Sequence, residues 1–423
     1  VTDLGWIDAA LTSARPQVMG ALLRYFRDLD QAEEAFQEAS LRALKNWPVN
    51  GPPRDPAAWL IFVGRNAALD ALRKTSRNAP LPPDEQLSDL DDAEADMAER
   101  LDNAHYRDDV LRLLFVCCHP DLPATQQIAL ALRIVSGLTV AEIARAFLVS
   151  DAAMEQRITR AKRRIGASGV PYATPSPAER TERLAVVASM IYLLFNEGYS
   201  ASGGDQHIRA GLCTEAIRLS RLLLSLFPAE PEIMGLTALL LLQDSRAAAR
   251  LDPEGEIVLL EDQDRGLWNR KQIAEGLVMV EKAFRHGRPG PFQLQAAISA
   301  MHAQAEDFEQ TDWQEIDRLY GLLEEAQPSP VVTLNRAVAV SRLKGPTDAL
   351  TMIEPLAGRL QAYFHFHGVR GAFLTQLGRA EEARTAFDRA IALAHTPAEA
   401  AHIRRHLDQL QRDGETIAPA NGG

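Results

Sequence analysis

Between Gly137 and Ile165 the chain has little choice but to form two short helices joined by a tight turn. Met154, Ile158, Ala161 and Ile165 recur at intervals of four, three and four, the spacing of a helix with one buried side. Upstream, Val140, Ile143, Ala144 and Phe147 make another apolar stripe at helical spacing. Ser150 precedes the second run, where its hydroxyl can accept from the open amides of the first turn. With the apolar positions buried, Glu155, Gln156, Thr159, Arg160 and Arg163 turn outward. Amide, hydroxyl and guanidinium groups on one face suit base edges, while Arg157, Lys162 and Arg164 suit phosphates. The pattern predicts a helix-turn-helix and makes DNA the first partner to consider. On these residues alone, two amphipathic helices with solvated arginines are the alternative. Leu148-Val149 also stand where such turns often carry a glycine.

At 423 residues the chain is too long for one core and should form two to four domains. Its 46% apolar content is ample for packed interiors. A formal net charge of −12 argues against general attraction to nucleic acid, so basic segments carry information by being local. Three cysteines, Cys117, Cys118 and Cys213, imply a reduced compartment without a disulfide framework. The start VTDLGWIDAALTSARP lacks a basic segment followed by an apolar run, so no signal peptide is expected. The longest apolar stretch, 184–195, is too short to span a bilayer. These features predict a cytoplasmic protein with no membrane partner.

Periodicity predicts an all-α chain. Residues 6–77 read as one helical domain, with Phe26, Leu29, Ala32, Phe36, Ala39 and Leu44 as apolar positions. Pro48, Gly51, Pro52 and Pro53 should break that helix and leave a loop. A further helix over 57–74 has Trp59, Phe62, Val63, Leu69 and Leu72 on its core side. Residues 78–105 form an acidic linker: from Pro80 to Asp102, three prolines and nine acidic residues face a single Arg100. A second helical domain, 106–166, ends in the helix-turn-helix, and 167–178 is a Gly/Pro/Ser-rich joint. A helical extension covers 179–327, with a small hairpin expected within 251–268. Over 328–415, Ala337, Ala349 and Ile353 recur 34 residues later as Gly371, Ala383 and Phe387, the period of tetratricopeptide helix pairs.

Two blocks together resemble bacterial RNA polymerase sigma factors of the extracytoplasmic-function (ECF) type. QAEEAFQEASLRALKNW (31–47) resembles their helix that grips the polymerase β′ clamp. DPAAWLIFVGRNAALDALRK (55–74) resembles their DNA-melting and −10-reading helix, through Trp59-Leu60, Arg65-Asn66, Asp70 and Arg73-Lys74. Residues 137–165 resemble region 4.2, with Ile143-Ala144 and the basic run from Arg160 to Arg164. LRLLFVCCHPDLP (111–123), the AFLVS turn, LLFNEGYSAS (193–202) and LWNRKQI (267–273) resemble one ECF group with a long C-terminal extension of tetratricopeptide-like helices. In that group the turn without glycine is a shared trait.

The resemblance implies a non-enzymatic function: binding core polymerase and directing promoter-specific initiation. It implies contacts to the β′ clamp through region 2, by Glu34, Gln37, Glu38, Leu41 and Arg42, and to the β flap through region 4. Region 2 would hold unstacked −10 bases, with Asn66 on a base edge, Arg65, Arg73, Lys74 and Arg77 on phosphates, and loop 49–54 in the base pocket. Region 4 would read the −35 element with Glu155, Gln156, Thr159 and Arg160, backed by Arg157, Lys162 and Arg163. Trp59 reads better as core than as a stacking platform, and Asp70 as an orienting group. The acidic linker could thread a basic polymerase channel or serve as a plain tether. Cys117-Cys118-His119 reads as buried thiols rather than a metal site, and His365 and His367 as repeat packing. Gly198 reads as a helix C-cap. No phosphate loop, nucleophile–base pair or carboxylate dyad has supporting context, and no cofactor is expected. The repeats would take a peptide or protein partner and control the sigma regions in cis. The rival reading is a polymerase-independent helix-turn-helix regulator with an effector-binding helical domain.

Overall fold

The computed structural model describes residues 5–76, 103–119, 121–147, 149–167, 177–199, 206–253, 257–287, 289–394 and 397–417. Among them there is no strand, and the hairpin expected within 251–268 reduces to one isolated antiparallel bridge, Leu251 to Ile257. No described helix is long and apolar enough to cross a membrane. The chain divides into two compact units, Val1–Leu194 and Phe195–Gly423.

The first unit opens with three helices, α1 (Gly5–Phe26), α2 (Leu29–Asn50) and α3 (Pro56–Ser76), all in mutual contact. The periodic run through Phe26 and Leu29 is interrupted: Arg27 takes a positive φ of 55° and Asp28 caps α2, its carboxylate accepting from the Gln31 amide at 2.8 Å. Helix α2 buries Leu29, Ala32, Ala35, Phe36, Ala39, Ala43 and Trp47. Leu44, expected inside, is 46% exposed, because Ala43 and Trp47 hold the inward positions of the last turns. Pro48 does not end the helix. It falls in the final turn, which closes at Gly51, whose N–H reaches the Trp47 carbonyl. Trp59 is buried with its ring edge-on to Trp47, so it belongs to the core. Gly64 lets α3 approach α2 closely, since a Cβ there would lie 2.9 Å from the Ala35 carbonyl oxygen.

Described helices that follow in the same unit include α4 (Asn103–Cys117), α5 (Ala124–Ala131), α6 (Val140–Ala146) and α7 (Asp151–Ala167). Leu132–Ser136 forms a π-helical turn that ends on Gly137, in the left-handed region at φ 80°. Helix α1 packs against both α4 and this π turn. Gly20 makes the α1–α4 approach possible, for a Cβ there would stand 2.8 Å from the Asp109 backbone. Cys117 and Cys118 are buried in this core, and burial pushes the Cys118 thiol up to about 12. Helix α8 (Pro177–Tyr199) then runs through Gly198, which is therefore inside its last turn and not beyond it.

The second unit continues from the end of α8 with α9 (Gln206–Leu226), α10 (Pro231–Asp244), α11 (Arg270–Phe284), α12 (Pro291–Gln304) and α13 (Trp313–Ala326). Every residue of α10 from Ile233 to Leu242 is buried, as expected of a helix apolar all round. LWNRKQI is the corner that enters α11. Trp268 is buried, and the Asn269 side chain caps the helix by accepting from the Lys271 and Gln272 amides. Helices α14 (Pro330–Lys344), α15 (Pro346–Ile353), α16 (Phe364–Gln376), α17 (Ala380–Leu393) and α18 (Pro397–Ile417) complete the unit. Ala337, Ala349, Ile353, Ala383 and Phe387 are all buried, and Gly371 faces the Phe387 ring, which a Cβ would meet at 2.5 Å. Phe366 is buried there while His365 is exposed, so the packing rests on the phenylalanine.

Gly137 meets two demands at once. Its φ is unfavourable for any side chain, and a Cβ would stand 2.9 Å from Cδ of Arg15. Gly137→Ala is expected to destabilise the first unit by about 1–3 kcal/mol, read as a lowered denaturant midpoint.

Candidate nucleic-acid interface

Helices α6 and α7 pack together in the helix-turn-helix arrangement that the apolar spacing implied. Thr139 caps α6 and forms a reciprocal box. Its hydroxyl accepts from the Glu142 amide at 3.2 Å, and its own N–H donates to the Glu142 carboxylate at 2.8 Å. Those hydrogen bonds from Thr139 hold the Glu142 carboxyl below its ordinary value. Phe147 sits at the C-cap, half-buried, and the Val149 N–H closes the turn on the Ala144 carbonyl at 3.0 Å. Ser150 then starts α7, its hydroxyl accepting from the Ala153 amide. This turn bonding does without the glycine.

Met154, Ile158, Ala161 and Ile165 are buried, as the four-three-four spacing requires. Glu155, Gln156, Thr159, Arg160 and Arg163 are exposed, and Arg157 is half-buried. Arg160 donates to the Gln156 amide oxygen at 3.2 Å, which pairs the two side chains before any ligand arrives. The helix carries five basic residues against Asp151 and Glu155, a local excess of three positive charges in an acidic chain.

Lys162 is the exception on this helix. Its ammonium lies 2.6 Å from the Asp30 carboxylate and 2.8 Å from that of Glu33, both on α2. Burial works against the charged amine, but the hydrogen bonds and charges of Asp30 and Glu33 prevail and hold it above its usual value. Arg133, in the π turn, meets the other Glu33 oxygen at 2.7 Å. The Glu33 side chain is only 7% exposed. Spacing along one helix carries no sign of these contacts, since the partners are about 100 to 130 residues away in the chain.

On α2, Glu34, Gln37, Leu41 and Arg42 are exposed, and Glu38 pairs with Arg42 at 3.0 Å. Leu44 joins Leu41 on that outer side, adding an apolar residue to the surface that the sequence reading assigned to the core. On α3, Arg65 is exposed and Asn66 half-buried. The Arg65 guanidinium lies 4.4 Å over the Tyr25 ring, which is itself 42% exposed. Tyr25 was not singled out from the sequence, yet it offers a flat face next to a cation. For Arg73, Lys74, Leu69, Asp70 and Leu72 the description covers the helical backbone alone. Arg77 and the acidic segment after it lie outside the described residues.

Residues 11–78 match Sigma-70 region 2, and residues 112–165 match Sigma-70, region 4. Residues 183–284 match a family of unknown function, DUF6596. An uncharacterized protein of Rhizobium meliloti (strain 1021) is 70% identical over 418 residues, covering 99% of each chain.

The capping box contributes stability above the ordinary glutamate value of 4.5 and loses it as pH falls through the lower folded-state value. Thr139→Ala is therefore expected to cost about 1 kcal/mol near neutral pH. That cost should shrink below pH 4.5, as comparative denaturant unfolding at several pH values would show.

Proposed function

The chain belongs to the sigma-70 family, as an ECF-like sigma factor with a long C-terminal extension, and on that premise we propose how it recognises promoters. Region 2 docks on core RNA polymerase through the outer side of α2, with Glu34, Gln37, Glu38, Leu41 and Arg42 joined by Leu44. Region 4 meets the β flap and lays α7 in the major groove of the −35 element. Gln156, Arg160, Glu155 and Thr159 face base edges, and Arg157 and Arg163 face phosphates, while Lys162 is engaged by Asp30 and Glu33. On α3, Arg65 and Asn66 hold unstacked −10 bases, with Tyr25 as an added stacking face and Arg73, Lys74 and Arg77 on the backbone. The protein acts in the cytoplasm by binding, without chemistry of its own.

The observation that carries this reading is the outward set Glu155, Gln156, Thr159, Arg160 and Arg163 on a helix whose other side is buried. Run-off transcription with core enzyme on a mapped promoter tests it. Arg160→Ala should lower promoter-specific initiation by about 5- to 150-fold, the equivalent of roughly 1–3 kcal/mol of base discrimination. Arg163→Ala should weaken binding across sequences and lower the salt slope by about one. Specific duplex binding by the purified protein without polymerase would overturn the assignment in favour of a free-standing regulator.

The C-terminal helix pairs act as a tetratricopeptide-like surface that takes a peptide or protein and controls the sigma regions in cis. A cut near 175 would strip α8, whose Arg183 lies over Phe115 of the first unit. A chain ended after residue 200 keeps that helix. Its transcription per bound polymerase should differ from the full chain's, and equal activity and regulation would remove the idea.

A further inference from the structure

Tyr199 of LLFNEGYSAS and Trp268 of LWNRKQI, which take no part in promoter recognition, are joined in the second unit by arginines. Arg246 and Arg250 lie in the turn after α10. The Arg250 guanidinium rests 3.6 Å from the centre of the Tyr199 ring and donates to the Tyr199 carbonyl at 2.6 Å. Arg246 donates to the Tyr199 hydroxyl at 3.1 Å and lies 6.0 Å from the Trp268 ring centre. Arg265 lies 4.6 Å from that same ring and donates through Nη1 to the carbonyls of His302 and Ala305, where α12 ends. The Asn269 N–H donates to the Ser245 carbonyl at 2.8 Å, which pins the two corners together.

These cations are not matched by anions. In the same unit Arg218, Arg221, Arg318, Arg336, Arg342 and Arg379 each meet a carboxylate at 2.5–2.7 Å. Arg246, Arg250 and Arg265 meet carbonyls and a hydroxyl instead, and no described carboxylate forms an ion pair with them. Two carboxylates act nearby, Asp307 on Arg265 and Asp244 on Cys213 alongside Arg250. Both are already engaged. Asp244 accepts from the Gln272 side chain at 2.7 Å, and Asp307 from the Gln310 amide and side chain at 2.9 and 2.6 Å. Carbonyls satisfy N–H groups but leave the charge uncompensated, and Arg265 is only 9% exposed. Burial lowers Arg265 from its ordinary value; Asp307 opposes the fall, and Arg246 and Arg270 add to it.

Three buried atoms here have no hydrogen-bonding partner among the described residues: Nη2 of Arg265, Nε1 of Trp268 and Nδ1 of His302. Guanidinium and indole N–H groups can only donate. Donors set among uncompensated cations select an acceptor that carries negative charge. We propose that this arginine–aromatic cluster is a binding site for a small phosphate, free or as a monoester, distinct from the helix pairs of α14 to α18. A phosphate carries nearly two negative charges at neutral pH, and guanidinium forks match its oxygens in pairs. The recessed position favours a compact ligand: Arg246 and Arg250 are half-buried and Arg265 is buried, whereas a duplex backbone needs cations that stand clear of the surface. The site goes beyond the promoter-recognition reading and does not depend on it.

Calorimetric titration of the full chain with orthophosphate and with phenyl phosphate, at constant ionic strength in chloride, tests this. One saturable site is expected. Whichever probe binds more tightly identifies the ligand as free phosphate or as an ester. Arg246→Gln and Arg250→Gln should each weaken binding by about 10- to 150-fold, the worth of a hydrogen bond to a charged group. Arg246→Lys keeps the charge but loses the fork, so it should lose less than Arg246→Gln. Arg318→Gln, whose cation is paired with Glu315, should bind as the parent does. Phosphate should also raise the denaturant midpoint of the parent chain and not that of Arg246→Gln. If Arg250→Gln fails to fold, the two Arg246 variants carry the comparison. Absence of saturable binding overturns the site, as does unchanged affinity in folded Arg246→Gln. Displacement of phosphate by a short DNA duplex would assign the arginines to a nucleic-acid backbone and overturn it too. None of these measurements involves polymerase, so their failure leaves the promoter-recognition reading untouched.

Discussion

The buried carboxylate of Glu33 ties together separate parts of the first unit. Glu33 sits on α2 among alanines and Phe36, where an unpaired anion would be costly, and it is ion-paired with two cations from another part of the chain. Arg133 comes from the π turn before the helix-turn-helix and Lys162 from the helix-turn-helix itself. The contact therefore fixes where region 4 stands against region 2. Two glycines make the approach sterically possible: Gly20 admits the Asp109 backbone, and Gly137 admits Arg15 while taking a conformation other residues resist. The π turn matters for the same reason, because Arg15 donates to two of its carbonyls.

The helix-turn-helix shows how local bonding can replace a residue type. The turn from Phe147 to Ser150 has no glycine, yet the capping box at Thr139, the Val149–Ala144 bond and the Ser150 cap together define entry and exit of both helices. This leaves the outward face of α7 polar, with Arg160 and Gln156 already paired. A pre-paired amide and guanidinium lose less rotamer freedom on binding than two independent side chains would.

In the second unit, small residues and buried polar groups set the packing. Gly235 faces the Gln293 backbone and Gly371 faces Phe387, each too close for a Cβ. Glu232 is partly buried but accepts from the Phe292 and Gln293 amides, capping α12 from a neighbouring helix. Burial first, then the charges of Arg246 and Arg265, push His302 down to about 4, so it packs as a neutral ring against Trp313. The LWNRKQI segment, informative in sequence only as a resemblance, is a helix-entry corner built on Trp268 and Asn269.

Periodicity made the helical class and the buried face of α7 legible, because Met154, Ile158, Ala161 and Ile165 obey the 3.6-residue repeat whatever surrounds them. The same rule misplaced Leu44: α2 offers apolar residues on two sides, and only the Trp47–Trp59 contact decides which is inward. It also overlooked Tyr25, whose exposure beside Arg65 depends on how α1 meets α3. Proline and glycine cues misjudged the end of α2 and Gly198, since a helix can absorb either in its final turn. Sequence alone determined the elements and the chemistry each face carries, as these follow from local spacing. Tertiary structure alone decided that Lys162 answers Glu33, because ion pairs between residues 129 positions apart leave no periodic trace.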